Sequence, residues 1–184
     1  AGIYEEFNAR FGEAIKGLTV GNGSDSGVQV GPLINDGAVK KVESQIENAR
    51  SLGAKVLVGG KRRSMNGMSD RFFEPTLIEG MTPEMDISHQ ETFGPVAPLA
   101  KFTDEEEVIE LANASEYGLA AYFFTRDGSR IMRVAEALEY GIIGANDGGP
   151  STAQAPFGGV KHSGFGREGG RYVMDEYTEM KNIS

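Results

Sequence analysis

The sequence predicts an α/β protein with a mostly parallel sheet flanked by helices. In the C-terminal half, short apolar runs alternate with amphipathic segments of about ten residues, the order that parallel strands joined by crossover helices require. The apolar runs are bounded by glycine, as Gly53 and Gly59-Gly60 bound the run around Val56-Leu57-Val58. The helical segments carry apolar residues at the spacing of one helix face.

Tyr4 to Leu18 reads as an amphipathic helix, because Phe7, Phe11 and Ile15 recur at every fourth position among Glu5, Glu6 and Arg10. Val20 to Val30 is rich in Gly, Ser, Asn and Asp and reads as a loop. Asn35 or Asp36 can cap a second helix that runs to about Leu52, with Val39, Val42, Ile46 and Ala49 as its stripe and Gly53 as its stop. Ala54 to Val58 reads as a buried strand. Lys61 to Arg71 is a polar excursion, and Phe72 to Ile78 is the next strand, where Pro75 predicts an edge position or a break. Val96 to Phe102 reads as a third strand. Thr103 with Glu106 forms a capping box that opens a helix carrying Val108, Ile109, Leu111 and Ala112. Leu119 to Thr125 is a strand, Asp127 to Ser129 caps a helix with Ile131, Val134, Ala135 and Leu138, and Gly141 to Asn146 is a glycine-spaced strand. From Asp147 to Gly170 glycine is dense and periodicity stops, which marks a long loop of the kind that is commonly functional. Arg171 to Tyr177 reads as a final helical turn.

The chain has 184 residues, enough for one domain with a sizeable core. It is 39% hydrophobic and 24% charged, the balance of a globular protein. A formal net charge of −9 argues against nucleic acid or an anionic membrane as partner. No apolar run approaches a membrane span and the first residues lack the pattern of a signal peptide, so a cytoplasmic location is expected. With no cysteine in the chain, disulfides, thiolate metal sites and a catalytic thiol within it are excluded. His89 and His162 lie far apart without ligand spacing, so no metal site is expected.

Two stretches stand out. In Gln90-Glu91-Thr92-Phe93-Gly94-Pro95 a carboxylate and an aromatic ring are two residues apart. An extended backbone points such residues to the same side, so Glu91 and Phe93 can face one ligand, the acid toward hydroxyls and the ring toward a flat apolar group. Gly94 allows a turn or a close approach, and Pro95 fixes the next φ. The plainer alternative is a strand entry with a surface Glu and a core Phe. The second stretch runs Ala155-Pro156-Phe157-Gly158-Gly159-Val160-Lys161-His162-Ser163-Gly164-Phe165-Gly166-Arg167-Glu168. Its Gly164 to Gly169 matches G-x-G-x-x-G, but a glycine-rich loop precedes it instead of a strand, and the chain ends before an acid could follow at the required distance. A dinucleotide fingerprint is therefore rejected there.

Together the two stretches closely resemble the C-terminal half of the aldehyde dehydrogenase superfamily, which carries E-x-F-G-P followed by P-F-G-G-x-K-x-S-G-x-G-R-E. Gly31-Pro32-Leu33-Ile34, Gly59-Gly60, Asn113 with Tyr117 to Ala120, and Gly141 to Asn146 add to a resemblance that covers essentially the whole chain. It implies an aldehyde-dehydrogenase-like catalytic domain, with residues 1–184 as its C-terminal part. The nucleotide-binding domain, the nucleophilic Cys and the general-base Glu are expected upstream, so no catalytic residue is expected in this chain and the chain alone is expected to be inactive. It implies NAD or NADP as cofactor, with Glu91 hydrogen-bonding the nicotinamide ribose and Phe93 packing beside the nicotinamide. Lys41 falls near the cofactor ribose in the same comparison, against the simpler reading of a solvated lysine.

The segment Asp147 to Gln154 lines the aldehyde tunnel in the family, and here it holds no bulky aromatic. Ser151 falls where succinate-semialdehyde dehydrogenases place a serine on the substrate carboxylate, so oxidation of succinic semialdehyde is implied. Another short semialdehyde, such as that of 2-oxoglutarate, fits nearly as well, and a non-catalytic interaction module is the alternative of a different class. Ser151 can equally bond its own backbone. Phe157 can contact substrate or anchor the loop as a core ring. The implied partners are a small-molecule aldehyde and, for the full-length protein, further copies of itself in a homo-oligomer.

Overall fold

A computed structural model describes residues 2–184, which divide into two compact units, one running to Thr103 and the other Asp104–Ser184.

The first unit contains α1 (Tyr4–Lys16), α2 (Asp36–Ser51), β1 (Lys55–Val58), β2 (Thr76–Glu79), α3 (Asp86–His89) and β3 (Val96–Leu99). Its sheet has the order β1-β2-β3, with β1 antiparallel to β2 and β2 parallel to β3. Successive residues of β2 point to opposite faces. Leu77 faces α1, where Gly12 approaches it, while Ile78 joins the cluster of Val39, Val42, Ile46, Ala49, Ala54, Phe73, Met85 and Ile87 on the α2 side. The central strand is thus covered by a helix on each face, and its Thr76, Leu77 and Ile78 are all buried.

The α2 reading holds in detail. Asn35 is the cap, its side chain accepting from the Ala38 N–H at 2.8 Å, and the four stripe residues are buried. Gly53 follows the helix at φ 97°, a left-handed conformation that glycine adopts without strain. Two expectations change. The buried face of α1 is Asn8, Gly12 and Ile15; Phe7 and Phe11 stand on its shoulder, packed on each other with ring centroids 5.4 Å apart. The small Gly12 can sit against Leu77 and Val58 where a phenyl ring cannot, which rotates the stripe. β1 is half exposed, because it lies at the edge of the sheet. Pro75 marks a break: β2 begins at the next residue and is the central strand. Pro98, which has no N–H to donate, sits in β3 at the other edge.

The second unit contains α4 (Glu105–Asn113), β4 (Tyr117–Gly118), β5 (Ala120–Phe123), α5 (Gly128–Ala137), β6 (Ile142–Ala145), β7 (Val160–Lys161) and α6 (Val173–Tyr177). β5 and β6 pair in parallel across α5, the expected crossover, and β4 and β7 pair antiparallel. The cap of α4 is Asp104, whose carboxylate accepts from the Glu107 N–H at 2.9 Å, one residue later than the expected Thr103. A carboxylate is the stronger acceptor at a helix N-terminus, where the dipole also favours its charge. The expected strand from Leu119 to Thr125 is β5, and the short β4 just before it belongs to a different sheet. Asp127 caps α5 by accepting from the Ser129 and Arg130 N–H groups.

Glu105 ties α4 to α5. It accepts from Arg133 at 2.6 and 3.0 Å and from Arg130 at 2.7 Å, and these two guanidiniums hold its carboxyl down at about 2. Among the described residues no helix is long and apolar enough to cross a membrane.

Candidate functional site

The stretch 90–95 enters β3 along the surface of α2. Gln45, buried on α2, donates from Nε2 to the Gln90 carbonyl at 3.0 Å and accepts at Oε1 from the Thr92 hydroxyl at 2.7 Å. Thr92 is therefore turned inward. Glu91 and Phe93 on either side of it are exposed, Phe93 by 75%. This is the alternation of an extended segment, with acid and ring both on the surface.

The surface ring departs from the plainer alternative of a core Phe. Gly94 serves both a tight bend, its N–H donating to the Thr92 carbonyl at 3.0 Å and its carbonyl accepting from the Val96 N–H at 2.8 Å, and a close approach, since a Cβ there would lie 2.6 Å from Val42 Cγ2. Its neighbour Pro95 accepts from the Thr76 N–H at 2.8 Å, which fastens the end of the stretch to β2. Among the described residues the Glu91 carboxylate has no hydrogen-bond partner, so both oxygens are available to hydroxyl donors. An acceptor pair beside an exposed ring is complementary to a diol attached to a flat heterocycle, so these residues fit the nicotinamide riboside end of a dinucleotide. Lys41 is exposed on α2.

The second unit presents the glycine-dense loop. Its entry is set by Asn146, which takes φ 58° and bonds Thr125 twice, Oδ1 accepting from its N–H at 2.8 Å and Nδ2 donating to its carbonyl at 2.9 Å. Asp147 then accepts from the Gly149 N–H at 2.9 Å. Ser151 is exposed, and its hydroxyl makes no hydrogen bond among the described residues, so the backbone bond expected of a loop serine is not formed. Phe157 exchanges two backbone hydrogen bonds of 2.7 Å with Glu168. Phe157 is 37% exposed and lines a cavity of about 300 Å³ with Leu119, Ser163, Phe165, Arg167 and Glu176; Ser151 is not on this wall.

The G-x-G-x-x-G match runs from a turn after the two-residue β7 to the Phe157–Glu168 bridge, with no helix until Val173, which is not the strand–turn–helix of a dinucleotide fingerprint.

Sequence reasoning missed Gln45, Asn146 and Lys161 as organisers. Gln45 had a signal, a polar residue beside Ile46 within an otherwise apolar stripe, since an amide buried there needs partners. Lys161, the last residue of β7, stands at φ 55° and donates from Nζ to the carbonyls of Asn113 at 2.7 Å and Ser115 at 3.1 Å. It also pairs with Glu139 at 2.7 Å.

The pattern of the aldehyde dehydrogenase family matches residues 1–183, and the chain belongs to that family. It is 53% identical over 182 residues to the mitochondrial succinate-semialdehyde dehydrogenase of Arabidopsis thaliana, covering 99% of this chain and 34% of that protein. It is 50% identical over 182 residues to the 3-sulfolactaldehyde dehydrogenase of Pseudomonas putida, covering 99% of this chain and 37% of that protein. The chain thus spans about a third of the length of these curated relatives. Among solved structures, the succinate-semialdehyde dehydrogenase of Burkholderia pseudomallei superposes with a TM-score of 0.91 at 52% identity, over 95% of this chain and 36% of that one. The betaine aldehyde dehydrogenase of Staphylococcus aureus, solved in complex with NAD+, superposes with a TM-score of 0.89 at 41% identity, over 96% of this chain and 35% of that one. The fold is therefore that of the aldehyde dehydrogenase catalytic domain.

Proposed function

We propose that this chain is the C-terminal part of the catalytic domain of an NAD(P)-dependent aldehyde dehydrogenase that oxidises succinic semialdehyde to succinate. The carrying observation is the outward pair Glu91 and Phe93, held by the inward bonds of Thr92 and Gln90 to Gln45 and by the packing of Gly94 on Val42. When bound, the nicotinamide would supply the acceptor for the hydride that leaves the substrate carbon. Glu91 accepts hydrogen bonds from the ribose hydroxyls, and Phe93 limits the tilt of the ring. Such positioning matters because hydride transfer demands near-attack geometry between donor carbon and acceptor ring. The chain contains no cysteine, so the thiolate for this chemistry belongs to the remaining length of the protein, together with the general base and the nucleotide-binding domain.

The substrate reading rests on the loop from Asp147 to Gln154. It is short of bulky side chains, and the unpartnered, exposed Ser151 hydroxyl is available to a substrate carboxylate. Phe157 contributes a wall of the aldehyde channel. A second reading, an aldehyde ending in a sulfonate, draws on the relative named 3-sulfolactaldehyde dehydrogenase. Both substrates are short aldehydes with an anionic end, and the same hydroxyl serves either.

The test is NAD(P)H formation by the full-length protein with succinic semialdehyde, 3-sulfolactaldehyde and 2-oxoglutarate semialdehyde, each with NAD and with NADP. Turnover highest on succinic semialdehyde, and lost in Ser151→Phe, is the expected result. Activity highest on the sulfonate moves the assignment to the second reading. No activity on any aldehyde overturns it in favour of an interaction module. A homo-oligomeric state in light scattering and a cytoplasmic location in fractionation go with this reading; recovery from mitochondria would change the location.

A further inference from the structure

The glycine-dense loop leaves β6 at Asn146 and returns at β7. Its entry is locked by the two bonds of Asn146 to Thr125. Its return is held by the β4–β7 pairing, by Arg167 donating to the Gly159 carbonyl at 2.8 Å, and above all by the three contacts of one ammonium. Lys161 pairs with Tyr117 across β4 and β7, and its ammonium reaches back to the last residue of α4. There it donates to the carbonyls of Asn113 and Ser115 and meets the Glu139 carboxylate. Three oxygens take up the three N–H donors of one ammonium.

The acceptors are themselves tied. The Asn113 side chain accepts from the Glu139 N–H at 2.9 Å and donates to the Ala137 carbonyl at 2.8 Å, joining the end of α4 to the end of α5. The Ser163 hydroxyl accepts from the Gly118 N–H at 3.0 Å, a further tie between β4 and the residues that follow β7. The Lys161 side chain is 25% exposed. Lysine near a helix C-terminus satisfies carbonyls that the helix itself leaves open.

The geometry points to Lys161 as a positioning residue for the segment 147–160, which carries Ser151 and Phe157. This rests on the reading of that segment as the substrate loop. Lys161 touches no reacting atom. With the β4–β7 pairing and Arg167, it helps to fix where the loop returns, and so the spacing between its ends and the presentation of the two residues along it. The left-handed φ of 55° at Lys161 is uncommon for a side chain of this kind, and the three bonds of its ammonium oppose relaxation to an ordinary backbone.

The experiment uses the full-length protein with Lys161→Met, Lys161→Arg and Glu139→Gln. Two readouts are taken. The first is steady-state kinetics with succinic semialdehyde and with propanal, which has no anionic end. The second is the rate of chymotryptic cleavage after Phe157, identified by mass spectrometry below the melting temperature. Lys161→Met is expected to raise KM for succinic semialdehyde about tenfold, to change KM for propanal less than threefold, and to speed cleavage after Phe157 severalfold. Lys161→Arg should recover part of both effects, because a guanidinium can still reach Glu139 and the carbonyls. Nucleotide affinity should stay within a factor of two, since Glu91 and Phe93 belong to the first unit.

A folded Lys161→Met protein with KM and cleavage rate within a factor of two of the parent overturns the proposal. Should that variant fail to fold, Glu139→Gln decides: a KM raised about threefold with faster cleavage supports the clamp, and unchanged values overturn it. Loss of protection without any parental aldehyde activity would leave the clamp standing, overturn the positioning of substrate, and sink the functional reading on which it rests.

Discussion

Replacing Gln45 with Met removes both hydrogen bonds that hold residues 90 and 92 against α2 while nearly conserving side-chain volume. Gln45 is 2% exposed, so its amide does not recover these bonds from water in the folded protein. A neutral hydrogen bond contributes about 0.5–1.5 kcal/mol net, and an abandoned buried partner costs about 1–3 kcal/mol. The Gln90 backbone lies at the exposed side and its carbonyl can turn to solvent, whereas Thr92 is half-buried and its hydroxyl keeps part of its desolvation. The expected loss is therefore about 1–3 kcal/mol in all.

Urea unfolding of the full-length protein with Gln45→Met, Thr92→Val and the pair together reads this directly. Thr92→Val deletes the hydroxyl with little change of shape, and the bond it shares with Gln45 can be lost only once. The double variant should be less destabilised than the sum by about 1 kcal/mol. NAD(P) affinity should fall in either single variant, because Glu91 lies between the two anchored residues. Effects that add within about 0.3 kcal/mol, together with unchanged nucleotide affinity, would refute the argument that Gln45 sets the presentation of Glu91 and Phe93.

Gly94→Ala places a Cβ 2.6 Å from Val42 Cγ2 and should cost about 1–3 kcal/mol by overpacking, partly recovered by Val42→Ala in the same chain. The urea midpoint reads both, and a Gly94→Ala protein as stable as the parent would count against the close approach. Phe73→Ala empties a site that is 1% exposed and should cost about 3–5 kcal/mol, seen as a lower midpoint at unchanged m-value. Glu105 is lowered from 4.5 to about 2 by the guanidiniums of Arg133 and Arg130, so its contribution to stability is fully present above 4.5 and fades as pH falls toward 2. The stability gap between the parent and Glu105→Gln should be constant at neutral pH and close across that window. A gap that does not change with pH would disprove the assignment.

The legible part of this chain was local. The stripe of α2, its Asn35 cap and the glycine that ends it are set by residues within one element, and periodicity and cap chemistry show them directly. The alternation of Glu91 and Phe93 about Thr92 was legible for the same reason, since an extended backbone fixes side-chain direction at each residue. The buried face of α1 was not. The spacing of Phe7, Phe11 and Ile15 is a sound helical signal, but a face is chosen by what it must fit, and Leu77 and Val58 fit against Gly12. The edge position of β1 was hidden likewise, because an apolar run is the same run whether one strand or two lie beside it.

Taken alone, the order of residues determined the α/β class, the caps of α2 and α5, and the two motifs that mark the family. Tertiary structure alone decided which polar groups hold those motifs. Gln45 meets Thr92 across 47 residues of chain, and Lys161 meets Asn113 across 48. No periodicity extends over such distances. Partners that far apart are selected by the packing of whole elements, which brings a buried amide or ammonium to the acceptors it must satisfy once water is excluded.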